Sequence, residues 1–194
     1  MQALLVLLIV SSISLLNASS YRSGYDYTYS YDQSPAHSLC KRLENRIYLL
    51  TVTFPELQPL TAAMRFQPQG AFDEIFSVQD GNSANQVGGD FAMSHRFGYY
   101  KCASKSVVRA TGLGFLFKKE DVEFLQENGA TVIHDYDFTF SSNADSFTGR
   151  VQFAVFPNGK NPFTTSDKPV FQGLVGQVKG EVLRFRKFFD LSKA

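Results

Sequence analysis

The sequence predicts an all-β chain, a single antiparallel up-and-down β-barrel of about eight strands. Three observations carry that reading. Strand-like segments follow one another as hairpins, with turn residues between them and no alternating helices. Such a sheet must hide its two edges, and closing it on itself hides both. Glycines 112, 114, 149, 173 and 176 fall inside strand segments, where a small barrel needs bends or bulges. A β-sandwich is the alternative architecture.

The elements follow in order. Short helices are expected near 38–46 and 119–128. In the first, Leu39, Leu43 and Ile47 recur every four residues, with charges between them. From Ile47 the run IYLLTVTF is β-branched and aromatic, and Pro55 stops it. A strand at 62–66 leads to a Pro-Gln-Gly turn at 68–70. Phe72, Phe76 and Val78 then alternate on one face, interrupted by Glu74. Residues 80–90 form a polar loop rich in Gly and Asn. Strands are expected at 97–102 and 106–117. In the helix after them, Val122, Phe124 and Leu125 form an apolar side, and Gly129 is its stop. Segments 131–140 and 147–156 pair across a turn at 141–145. After a polar loop at 157–169, segments 170–178 and 182–189 make a last hairpin that turns at 179–181.

The ends of the chain set its destination. Residues 1–20 carry no charged side chain, and 4–10 is the unbroken apolar run LLVLLIV. A membrane span needs about 20 such residues, so the segment fits a cleaved secretory signal peptide. Small residues at Ala18 and Ser20 suit cleavage between 18 and 21. Residues 21–37 read as a disordered, tyrosine-rich arm, because Tyr alternates there with Ser, Thr, Gly and Asp and nothing aliphatic joins them up to residue 33. The barrel domain is then 38–194, secreted and extracellular, with no membrane span in the mature chain. Cys40 and Cys102 are the only cysteines, and in an oxidising compartment they are a candidate disulfide. Such a bridge is worth roughly 4 kcal/mol for a loop of about 60 residues.

Composition excludes several classes. Nineteen Lys+Arg against 18 Asp+Glu leave a net charge of +1, too little surplus for nucleic acid as the main partner. Three scattered histidines and no CxxC give no metal-ligand spacing, and no cofactor is implied. Asp80, Asn82 and Asp90, flanked by Asp73 and Glu74, could gather oxygen ligands for calcium, but Asp and Asn are also ordinary turn residues. No GxSxG or cysteine-protease signature is present, so nothing marks an enzyme nucleophile. The most informative strand is ATVIHDYDFTF. Val132, His134, Tyr136, Phe138 and Phe140 share its apolar face, and Asp135, Asp137 and Thr139 share the other. His134, Tyr136 and Phe138 should therefore point inward, where they would line a ligand site or pack a core.

Some phrases resemble a known class. Met64-Arg65-Phe66, the Pro-Gln-Gly turn and Phe72 resemble the opening of calycin-like barrels. Phe97-Gly98-Tyr99-Tyr100, Phe115-Leu116-Phe117 and Phe147-Thr148-Gly149-Arg150-Val151 resemble later hairpins of secreted allene oxide cyclase-like and dirigent-like proteins. The resemblance spans 47–189 and implies an eight-stranded barrel able to hold an apolar molecule. The lipocalin Gly-x-Trp signature is absent, since the chain has no Trp. The functional expectation is a secreted, non-enzymatic barrel binding a small apolar molecule. The alternatives are an extracellular structural protein acting through its tyrosine-rich arm, and a barrel-type isomerase or cyclase.

Overall fold

A computed structural model describes residues 35–55, 58–78, 91–119, 129–164 and 166–184. The expected signal peptide, the 80–90 loop, residues 120–128 of the helix expected at 119–128, and residues 185–194 lie outside the described residues, as do residues 21–34 of the tyrosine-rich arm expected at 21–37. The last three residues of that arm, 35–37, are not disordered but open a helix, because Pro35 is a favoured first helical position.

Helix α1 (Pro35–Leu43) is followed by β1 (Ile47–Thr53) and β2 (Leu60–Phe66). A 3-10 turn at Pro68–Gly70 leads into β3 (Ala71–Phe76). The short β4 (Phe91–Met93) precedes β5 (Arg96–Cys102), β6 (Val107–Lys118), β7 (Ala130–Phe140), β8 (Ser146–Pro157) and β9 (Phe171–Val182). All pairings are antiparallel. Leaving β4 aside, the strands meander in order, β3 pairing with β5 and β6 with β7, and β9 returns to β1 with Tyr48 opposite Val182. Eight strands thus close a barrel. β4 pairs with the far end of β6 and acts as a shifted extension of β5, with Met93 opposite Leu116 and Phe97 opposite Leu113.

Alternation decides what points inward. Tyr48, Leu50 and Val52 on β1, Ala62, Met64 and Phe66 on β2, and Phe72, Glu74 and Phe76 on β3 are buried, while residues between them are more exposed. The lower half is an aromatic plug. Phe138 and Phe147 lie 4.4 Å apart between ring centroids, and Tyr48 packs edge-on against Phe66 and Phe140. Some inward positions are glycine because a ring crosses to them. A Cβ at Gly180 would meet Phe147 Cζ at 2.3 Å, and one at Gly112 would meet Phe72 Cζ at 2.9 Å.

Helix α1 closes the lower end. Leu39 and Leu43 are fully buried in the same core, and the Cys40–Cys102 disulfide ties the helix to β5 with Cα atoms 5.8 Å apart. Arg42 Nη1 donates to the Ser142 carbonyl (2.6 Å), and Arg46 Nη1 to the Ala144 carbonyl (2.9 Å), fixing the β7–β8 turn beneath it. The helix begins at Pro35, a favoured first position, and ends at Leu43. It is therefore shifted from the expected 38–46, because Arg46 and Ile47 are drawn into the sheet and Phe66 N donates to the Arg46 carbonyl at 3.0 Å.

One expected hairpin is corrected. Residues 179–181 are not a turn: β9 runs unbroken through them, with Lys179 opposite Thr51 and Thr148. Gly180 is there to admit Phe147, and a twelve-residue strand is what spans β8. The irregularity in this pair lies earlier, between Gln152 and Ala154, where Gly173 adopts φ +122.

Candidate functional site

Above the aromatic plug the barrel carries a belt of polar side chains. Glu74 on β3 and Arg96 on β5 are direct cross-strand partners, and both point inward. His134 and Tyr136 approach from β7. These four are 1, 2, 6 and 2% exposed, respectively. Gly114, opposite Val132, makes the space: a Cβ there would meet Arg96 Cγ at 2.6 Å.

The contacts form a chain. Tyr136 donates its hydroxyl to Glu74 Oε2 at 2.7 Å. Arg96 Nε stands 3.6 Å from the same oxygen, an ion pair too long for a hydrogen bond. Arg96 Nη1 lies 2.9 Å from His134 Nε2. Arginine has only donors, so Nε2 accepts and the neutral ring carries its proton on Nδ1. The guanidinium also rests on the Phe76 ring, 3.8 Å from its centroid. Burial lowers His134 well below the usual 6.5, and the Arg96 charge pushes the same way. Burial raises Glu74, against the pull of Arg96 and the Tyr136 hydroxyl. Tyr136 rises well above 10 through burial and then the Glu74 charge.

The belt is incompletely paired. Glu74 Oε1, Arg96 Nε, Arg96 Nη2 and His134 Nδ1 are buried without a hydrogen-bond partner. Buried polar atoms normally find one, since leaving one unmet costs about 1–3 kcal/mol. Above the belt the apolar residues divide. Leu116, Ala130, Val132 and Val155 form one wall, separate from the main core that holds Phe54, Leu60, Phe76 and Val78. The partly buried Met93 and Phe153 touch both. Phe153 packs 5.7 Å from His134, 5.9 Å from Phe54 and 5.8 Å from Phe171.

His134 and Tyr136 face inward as alternation along β7 requires. They do not bond to each other; each is held by a residue from another strand. Phe138 is also inward, one step lower, against Tyr136 and Phe147 within the plug. Glu74 belongs to the interior and not to an oxygen cage beside the 80–90 loop, because its parity matches Phe72 and Phe76. No group of three or more His, Cys, Asp or Glu among the described residues could hold a metal ion. Arg96 carried no sequence signal of its own. Its partner in space is 22 positions away, and only the β3–β5 register brings them together.

A different cleft, of about 170 Å³, lies on the outer wall beside Tyr99, Arg109, Asp135 and Asp137. Its charges answer one another: Arg109 Nε is 3.3 Å from Asp137, and Thr111 Oγ1 donates to Asp135 at 2.6 Å. It is a solvated cross-strand ladder, and the unpaired chemistry lies inside the barrel.

Comparison with protein-family models, with curated proteins and with solved structures finds no match to this chain. The closed antiparallel barrel is consistent with calycin-like architecture, and fold alone assigns no activity.

Proposed function

We propose that this protein is an exported, non-enzymatic barrel that holds a small, mainly apolar molecule between the two upper walls, with the molecule's polar end at Glu74, Arg96 and His134. The observation that carries the reading is the belt of buried, unpartnered polar atoms in an otherwise apolar interior. Ligand sites commonly combine an apolar lining with a few converging polar groups. Phe153, Met93 and Val132 supply the lining, and Tyr136 holds Glu74 in place. Phe138 supports Tyr136 from below. The extracellular assignment rests on the uncharged apolar start of the chain and is supported by the Cys40–Cys102 disulfide.

Native mass spectrometry of the secreted protein, mixed with an extract of small apolar metabolites, tests the reading. A retained mass should appear in the wild-type chain and fall at least about tenfold in occupancy in Arg96→Met, which removes the guanidinium donors. No retained mass, or equal retention in both proteins, would contradict it. A second reading, an extracellular interaction protein, is favoured by one observation: Phe97, Tyr99, Phe115 and Phe117 are exposed on the outer wall of β5 and β6.

A further inference from the structure

The belt also carries information about charge. Arg96 is a fixed cation and, among the described residues, Glu74 is its one acidic neighbour, facing it across the β3–β5 register. The half-exposed His95 also acts on Glu74 from the barrel surface. Inside the barrel, the described side chains turned towards the pair are Met64, Phe72, Phe76 and Tyr136, beside the glycine positions 112 and 114. None is charged. His134 is turned to Arg96 as an acceptor and is neutral in that role. With Glu74 ionised, the interior pair is balanced, one positive against one negative.

The unpaired atoms are not balanced in the same way. Arg96 Nε, Arg96 Nη2 and His134 Nδ1 are donors, and Glu74 Oε1 is an acceptor. A hydroxyl group answers both kinds, because it donates one hydrogen bond and accepts two. A carboxylate answers only the donors. It would also bring a second negative charge beside Glu74 into a site with no water-exposed countercharge, where an unpaired buried charge is strongly disfavoured.

We infer that Glu74 makes this site selective for an uncharged, hydroxyl-bearing apolar molecule and turns away the corresponding carboxylate. This inference rests on the ligand-binding reading above and adds the class of ligand to it. Glu74 is the specificity-determining residue. Arg96 supplies the donor, and the carboxylate beside it cancels the attraction that a lone buried arginine would exert on fatty anions.

The test is a matched pair of probes, 1-decanol and decanoate, titrated calorimetrically into the intact protein at pH 7. The wild-type chain should bind decanol at least about tenfold more tightly than decanoate, as like-charge juxtaposition in a buried site demands. In Glu74→Gln the Arg96 charge stands alone, and the order should reverse in favour of decanoate. If wild type binds decanoate as well as decanol or better, the inference falls while the ligand-binding reading stands. If Glu74→Gln keeps the wild-type preference, the role given to Glu74 falls. If neither probe binds the wild-type chain, the ligand-binding reading itself is contradicted. Should Glu74→Gln fail to fold, the wild-type ratio decides alone.

Discussion

His134 shows how one buried ring links packing to pH. In the unfolded chain it takes a proton near the ordinary value of 6.5; in the barrel, burial and Arg96 hold that proton off. Below 6.5 the unfolded chain therefore binds more protons, and acidification favours unfolding. Glu74 works in the opposite sense, because its raised carboxyl stabilises the fold below its usual 4.5 and loses that contribution as pH rises through the folded value. Comparison with a non-titrating side chain isolates the histidine. Urea unfolding at pH 5, 6 and 7 should show His134→Gln losing less stability on acidification than wild type, by up to about 1.4 kcal/mol per pH unit. Parallel pH profiles would place His134 in solvent. The sequence made this residue legible, since strict alternation from Val132 to Phe140 places it inward. It did not make its partners legible. Glu74 read as a break between Phe72 and Phe76, although its parity put it on their face, and Arg96 follows a polar loop with no strand pattern before it.

At the scale of elements, α1 and the β7–β8 turn form one unit. Leu39 and Leu43 enter the core, Tyr48 donates to the Ala144 carbonyl at 2.6 Å, and Arg46 reaches the same carbonyl and Asp145. The disulfide fixes this unit to β5 across a separation of 62 residues. The Cys40→Ser, Cys102→Ser double variant should lose about 4 kcal/mol by urea unfolding, chiefly because its unfolded chain regains loop entropy. Trypsin should also cut it faster at Lys41 and Arg42. An unchanged midpoint would mean that Leu39 and Leu43 hold the helix unaided. The cysteine pair could be read from number and destination alone. The ends of elements could not. The Gly180-Glu181 step reads locally as a turn, and only the width of the closed sheet and the Phe147 ring make it strand interior.

For the whole molecule, closure follows from a meander of strands whose edges would otherwise stay unpaired, and that much was present in the order of turns and alternating residues. What alternation does not convey is the layering along the barrel axis. A helix-capped aromatic plug fills one half, a polar belt crosses above it, and beyond the belt the buried apolar residues fall into two clusters that Met93 and Phe153 bridge. Layering depends on register between strands distant in sequence, as with Glu74 opposite Arg96 and His134 opposite Gly112 and Phe153. It is this layering on which the proposed head-group site rests.

The most direct measurement is nitrogen-15 NMR of the Arg96 side-chain Nε–H and the His134 ring in the intact protein, with and without saturating 1-decanol. Both signals should shift and become more protected from exchange with water on binding, while Arg109 on the outer cleft stays unchanged. Shifts confined to Arg109, or none at Arg96 and His134, would contradict an interior site.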